Sequence, residues 1–242
     1  MSNATEFAPG LAIQGFTAPL SLSQFKLIAF DMDSTLISIE CVDEIADAVG
    51  RKAEVAAITE AAMRGEITDF KDSLRRRLAL LQGVTLADME RVYTERLQIN
   101  PGAHELIAAC HQAGLKVLLV SGGFTFFADR VKDRLKIDFA RANRLEVAAG
   151  ALTGGLVMQS WGDICDGAEK RRTLLEVASL LGIDAGQCIA VGDGANDLPM
   201  MAAWSDAGGL SVAYHAKPKV REKAMVAINQ GGLDRLLEVV RP

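Results

Sequence analysis

Cysteine, aromatic residues and long apolar runs are all scarce in this chain. Its 242 residues include four cysteines, Cys41, Cys110, Cys165 and Cys188, far apart and without a C-x-x-C pair. That spacing suggests neither a zinc knuckle nor a disulfide framework. Aromatics make up 5% of the residues, and Trp161 and Trp204 are read as packing residues rather than stacking platforms for a base. Basic charge is not in excess either. Lysine and arginine number 26 against 31 aspartates and glutamates, a net charge of −5, whereas a nucleic-acid binder usually shows a basic face. No apolar stretch has the length of a membrane span. The amino terminus lacks the basic and apolar regions of a signal peptide. The expectation is a cytoplasmic protein with neither a membrane nor a nucleic acid as partner.

What is present is ordinary globular composition, half apolar and 24% charged, at a length that holds a core plus a smaller insertion. Residues 1–24 carry Pro9, Gly10, Gly15 and Pro19 without a sustained period and are read as a lead-in. Leu27-Ile28-Ala29-Phe30 is a continuous apolar run of the kind a buried parallel strand shows. Helical spacing then dominates, predicting helices over 41–49, 52–64, 69–82 and 85–96, punctuated by Gly50, Gly65 and Gly83. Residues 38–98 are expected to form a helical bundle inserted after the first strand. Beyond Asn100-Pro101-Gly102, strand and helix alternate. Strands are predicted over 116–120, 188–191 and 208–212, with a hairpin over 144–158. Helices are predicted over 103–113, 124–135, 168–181, 197–203, 219–224 and 233–240. The expected fold is α/β: a Rossmann-like parallel sheet sandwiched by helices, from residues 25–37 and 99–242, with the helical bundle as its cap.

Three predicted strands end in polar, reactive sequence. Asp31-Met32-Asp33-Ser34-Thr35 places two carboxylates one residue apart at a strand end, where open α/β sheets bind ligands. Crowded like charges are costly unless a cation offsets them, which points to a Mg²⁺-linked catalytic pair. An Asp or hydroxyl there also suits a plain helix cap. Ser121-Gly122-Gly123-Phe124 offers a hydroxyl and two glycines opening a helix, whose free N–H groups suit a phosphate; a tight turn reads the same way. Gly192-Asp193-Gly194-Ala195-Asn196-Asp197 lets the backbone approach a ligand and supplies Asp193 and Asp197 as hard oxygen donors, although G-D-G is also turn-forming. Lys170, beside Glu169, Arg171 and Arg172, joins this site only if topology brings the start of its helix to the same sheet edge. His104, His111 and His215 show no metal or triad spacing and are read as surface or packing residues.

In order, Asp31-x-Asp33-Ser34-Thr35, Ser121-Gly122-Gly123, Lys170 and Gly192-Asp193-Gly194-x-Asn196-Asp197 resemble the four motifs of the haloacid dehalogenase-like phosphatases. The resemblance spans nearly the whole chain from Leu27 onward. Glu40 and the segment Met63-x-Gly65-x-x-x-x-Phe70-x-x-Ser73-Leu74-Arg75-x-Arg77 look most like the members that hydrolyse L-phosphoserine, an activity of serine biosynthesis. The resemblance implies that Asp31 attacks phosphorus and forms an aspartyl-phosphate. Asp33 would protonate the leaving oxygen and then serve as base on the attacking water. Mg²⁺ would be held by the Asp31 carboxylate, the Asp33 backbone carbonyl and Asp193. Ser121, Gly122 and Lys170 would cradle the phosphoryl oxygens, Asn196 would touch substrate, and Asp197 would orient Lys170 or a metal water. Substrate choice would rest on the cap. There Glu40 would face an ammonium, Arg77 a carboxylate, and Met63 and Phe70 would form an apolar wall that excludes water. Charged residues on bundle helices also serve as mere surface pairs. Family members often carry an extra amino-terminal regulatory domain, and a lead-in this short is not expected to be one.

Two other functions share these residues. Phosphoryl transfer to a small alcohol such as homoserine begins with the same step, and the sequence does not separate it from hydrolysis because the acceptor enters later. A phospho-receiver or binding module also combines a strand-end Asp, acidic metal ligands, a hydroxyl and a Lys. An acid two residues from the nucleophile implies turnover instead, and a receiver needs no helical insert. The expected partner is a small phosphomonoester, and a homodimer is left open.

Overall fold

The computed structural model describes residues 4–64, 66–205 and 207–242, together with the side chains of all of these except Met63, Trp204 and Ser205. The expectations placed on Gly65 and on the Met63 and Trp204 side chains therefore lie outside the described residues. In chain order the strands and helices begin with β1 (Thr5–Ala8), β2 (Leu11–Ile13), β3 (Leu20–Ser21) and β4 (Leu27–Phe30). Four helices follow, α1 (Cys41–Ala48), α2 (Lys52–Met63), α3 (Phe70–Ala79) and α4 (Leu86–Glu95). The chain continues with α5 (Ala103–Gln112), β5 (Lys116–Phe124), α6 (Thr125–Leu135), β6 (Phe139–Asn143), β7 (Leu145–Ala148), β8 (Ala151–Leu156) and α7 (Gly167–Leu181). It ends with β9 (Cys188–Gly192), α8 (Leu198–Ser205), β10 (Leu210–Tyr214), α9 (Pro218–Arg221), β11 (Val226–Ile228), α10 (Leu236–Val239) and β12 (Val240–Arg241).

Eight strands form the main sheet in the order β1-β2-β11-β10-β9-β4-β5-β6, parallel from β11 through to β6. Alternation of side chains divides the core between its two faces. Ile28, Phe30, Ile189 and Val191 join the larger buried cluster. Leu27, Ala29, Cys188 and Ala190 face the other way, against Leu174 and Ala178 of α7 and Met200 and Met201 of α8. The placement of β4 between β5 and β9 brings three strand ends side by side, and these ends carry the three polar segments.

Within the lead-in, β1 and β2 join the main sheet. Leu11 is fully buried, and β2 pairs antiparallel with β11 through Leu11↔Ile228 and Ile13↔Val226. The strands β6 and β11 likewise go beyond the expected set. Both are short: β6 is interrupted by Arg141, and β11 is an apolar run of only three residues. Helix α6 starts at Thr125, because β5 runs on through the two glycines to Phe124.

Four helices, α1 to α4, form the insert, with α1 against α2 and α4, and α2 against α3. Thr85 caps α4 with a reciprocal box to Asp88, and the Asp69 side chain caps α3. The hairpin β7–β8 lies in its own sheet, and β8 packs on α3. The Gly83 N–H donates to the Leu152 carbonyl and the Leu152 N–H to the Val84 carbonyl, both at 2.8 Å. Gly154 has φ +87°, and a Cβ there would stand 3.3 Å from the Leu78 carbonyl oxygen and the Ala79 Cα. The bare glycine is what lets the hairpin lie this close to α3.

Candidate active site

Asp31 prolongs the sheet pairing by one residue, its N–H donating to the Val191 carbonyl at 3.0 Å. The chain then turns sharply: Ser34 adopts φ 56°, an uncommon conformation for a residue with a side chain. The Ile37 N–H closes the turn on the Met32 carbonyl at 3.0 Å. The Ser34 hydroxyl donates to Glu40 Oε1 at 2.7 Å, tying the start of α1 to the turn after β4.

A buried ion network joins this turn to the ends of β9 and α7. Lys170 and Asp197 are 0% exposed and Asp31 is 5% exposed. Lys170 Nζ stands 2.7 Å from both Asp31 Oδ1 and Asp197 Oδ1. The other oxygen of Asp197 accepts the N–H groups of Asp193 at 3.1 Å and Gly194 at 3.0 Å. Asp166 caps α7 by accepting the Glu169 N–H at 2.8 Å, which sets the first turn that presents Lys170. Charges at this depth persist only when paired and hydrogen-bonded.

Asp31, Asp193 and Asp197 each place an oxygen within 4.8 Å of the others. One buried ammonium thus faces three carboxylates, an excess of negative charge that a divalent cation would offset. Both oxygens of Asp197 are already committed, to Lys170 and to the backbone, so Asp31 and Asp193 are the carboxylates left for a hard cation. The Thr35 hydroxyl reaches Asp193 Oδ1 at 3.3 Å. This trio contains Asp197 rather than the carboxylate of Asp33. Burial, then Asp197 and Asp193, push the Asp31 carboxyl well above its ordinary range against the pull of Lys170. Burial, then Asp197 and Glu40, raise Asp193 to about 7. Burial works against the Lys170 charge, but Asp197 and Asp31 outweigh it and hold its pKa above the ordinary value.

Asp33 stands apart from this network. Its Oδ1 is buried without a hydrogen-bond partner, and the residue lines the central cavity. Burial and then Glu40 raise its carboxyl to about 7, despite the relief from Cys41 and Lys170. A carboxyl poised near neutral pH can both give and take a proton. Across from it, the buried Ser121 Oγ accepts the Gly123 N–H at 2.8 Å. A Cβ on Gly123 would lie 2.9 Å from Asp33 Oδ2 and 3.1 Å from Ser121 Oγ, so the close approach of β5 to Asp33 requires glycine.

The cavity measures about 260 Å³. Its floor is Asp31, Asp33, Ser121, Gly122 and Asp193, with Asn196 beside them, and the cap contributes Glu40, Phe70 and Arg77. A Cβ on Gly122 would meet the Phe70 ring at 3.3 Å, so the cap closes directly over β5. Lys170 does not line the cavity but lies beneath it, bonded to Asp31. Asp43, Thr59, Leu74, Phe124 and Lys217 also line the space and are additions to the expected set. Asp43 follows Glu40 by three residues, the spacing of one helix face. Lys217 follows β10, a fourth strand ending at the same edge. Asn143 is a further addition: its Nδ2 donates to the Gly122 carbonyl and its Oδ1 accepts the Cys165 N–H, each at 2.7 Å. It thereby pins β5 to the segment leading into α7.

The model of the haloacid dehalogenase-like hydrolase family matches residues 28–202. A protein of Albidiferax ferrireducens named phosphoserine phosphatase is 70% identical over 98% of this chain and 99% of its own length. One of the same name from a Polaromonas species is 68% identical over 98% and 99%. Among solved structures, a phospho-aspartyl intermediate analogue of phosphoserine phosphatase superposes with a TM-score of 0.80 at 38% identity, over 90% of this chain and 99% of that one. A substrate-bound phosphoserine phosphatase complex gives the same score, identity and coverage. With its parallel sheet, buried Lys–Asp network and four ordered motifs, this chain belongs to the haloacid dehalogenase-like hydrolase family.

Proposed function

We propose that this enzyme hydrolyses L-phosphoserine to L-serine and phosphate through an aspartyl-phosphate on Asp31, a reaction of serine biosynthesis. The observation that carries the proposal is the composition of one cavity. Its floor has a strand-end carboxylate, a hydroxyl and the Gly122 N–H for a phosphoryl group. Its roof has an unpaired guanidinium and carboxylates for an amino acid's two charges. The names of relatives at 68–70% identity support the same assignment.

In this mechanism Asp31 attacks phosphorus with the oxygen not held by Lys170, forming the acyl phosphate as the serine oxygen departs. Asp33 gives its proton to that oxygen, then accepts one from the water that cleaves the acyl phosphate; the buried carboxyl near pH 7 suits both transfers. Ser121 and the N–H group of Gly122 steady the phosphoryl oxygens, and Lys170 neutralises Asp31 from below. Asp197 orients Lys170, and Asn196 bounds the substrate. Glu40 faces the ammonium, Arg77 the carboxylate, and Phe70 keeps water out. Mg²⁺, bound by Asp31, Asp193 and the Asp33 backbone carbonyl, would supply charge neutralisation between nucleophile and phosphate. The same proposal places the enzyme in the cytoplasm and leaves a homodimer open.

The test is phosphate release from phosphoserine, phosphoethanolamine, phosphoglycolate and p-nitrophenyl phosphate, with Mg²⁺ or with EDTA. Phosphoserine should be the preferred substrate and EDTA should abolish release. No release from phosphoserine would overturn the proposal, and phosphohomoserine formed on adding homoserine would redirect it to phosphotransfer.

A further inference from the structure

The cap side of the cavity holds two charged side chains that each keep a buried polar atom without a hydrogen-bond partner. Arg77 forms no ion pair among the described residues, and its Nε is buried with no hydrogen-bond partner. Asp43 lines the same cavity from α1, and its Oδ1 is buried and equally unpartnered. Glu40 differs: it is exposed, and one of its oxygens is taken by Ser34 at 2.7 Å. Orphaned buried polar groups are rare and require a reason. Two of opposite charge in one cavity share a reason. Among the carboxylates acting on Arg77, Asp43 exerts the strongest attraction, ahead of Glu40 and Asp33. Arg77 in turn is the charge that most relieves the burial of Asp43.

We propose that Asp43 is a positioning residue for Arg77: from α1 it directs the guanidinium of α3 across the cavity, so that the fork faces the substrate carboxylate. The inference rests on the phosphoserine reading above. A long arginine side chain with no nearby anion snorkels toward water, and ordering it only on binding costs affinity. A carboxylate at a fixed bearing removes that cost in advance. Because Asp43 attracts without forming a close ion pair, the planar fork stays open for a bidentate partner.

Asp43→Asn keeps the side chain's size and removes its charge. Steady-state kinetics would compare phosphoserine with phosphoglycolate, which has the carboxylate but no ammonium, and phosphoethanolamine, which has the reverse. KM should rise about tenfold or more for the two carboxylate-bearing substrates, the scale of a misplaced binding group, with kcat and phosphoethanolamine turnover unchanged. In an Arg77→Gln background, Asp43→Asn should add nothing; that comparison also serves if the single variant fails to fold, since both charges are then absent. An unchanged KM for phosphoserine, equal losses on all three substrates, or losses confined to ammonium-bearing substrates would overturn the inference. Wild-type protein inert toward phosphoserine would instead defeat the proposed function, whatever the Asp43 variant does.

Discussion

Lys170 Nζ and Asp31 Oδ1 lie 2.7 Å apart with almost no exposure to solvent. One comes from the first turn of α7 and the other from the end of β4, so the pair reports that both elements are correctly seated. Lys170→Met should remove the ammonium that, among the described residues, pairs with both Asp31 and Asp197. Breaking a buried pair in this way costs about 3–5 kcal/mol, read as a lower urea midpoint, with turnover lost. Unchanged stability would show that the network bears little weight.

Metal-free protein should be more stable at pH 5.5 than at pH 8. Asp33 and Asp193 have folded pKa values raised to about 7 from 3.8. The folded state therefore holds protons that the unfolded chain has released, and stability falls as pH rises through that window. Mg²⁺ at a hundredfold excess over its Kd should restore about 2.7 kcal/mol at pH 8, roughly 5–10 °C in Tm, and less at pH 5.5. Equal Tm values at the two pH values without metal would contradict this.

Gly123→Ala should lower kcat/KM by about a hundredfold, the scale expected from displacing a reacting group by an ångström. The added Cβ would press on Asp33 Oδ2 from 2.9 Å, and Asp33 must yield. Circular dichroism should show the fold intact; full activity would mean that Asp33 has room to spare.

The cap is tied to the core by Asp163, which takes Lys71 Nζ at 2.9 Å and Arg75 Nη2 at 2.6 Å. These partly exposed pairs are each worth about 0–1 kcal/mol, enough to bias a cap but not to lock it. Asp163→Asn should speed hydrogen exchange in α3, raise KM about threefold and blunt the salt dependence of KM. Exchange in α3 at the wild-type rate would remove the tether from consideration.

Asp31→Asn should abolish turnover, whereas Asp33→Asn should slow it at least a hundredfold by removing proton transfer. Acid-quenched protein incubated with ³²P-phosphoserine should carry label in wild type and none in Asp31→Asn. Label on Asp31→Asn would move the nucleophile elsewhere.

Local pattern suffices for some of this. The run 27–30 declares a buried strand because an unbroken apolar stretch satisfies both faces of a covered sheet. The three strand-end motifs announce chemistry because polar, glycine-rich sequence recurs at one strand end after another, although each alone would also suit a cap or a turn. By contrast β1, β2 and β11 carry too few residues to show a period, and they are strands because a sheet edge is there to pair with. The hairpin 145–156 is legible as a hairpin, but only its tertiary contacts, Leu152 with Gly83 and Val84 and Gly154 with α3, show that it packs on the helical insert.

The chain's own order of residues determined the parallel core, the helical insert and the identity of the carboxylates, lysine and glycines at the strand ends, since each follows from neighbours in sequence. Tertiary structure alone decided that Lys170 lies beneath Asp31, that Asp197 spends both oxygens on holding it, and that Asp43 and Lys217 face inward. A charged residue on a helix or loop reads the same whether it meets water or a cavity, and only the packing of distant elements removes the water.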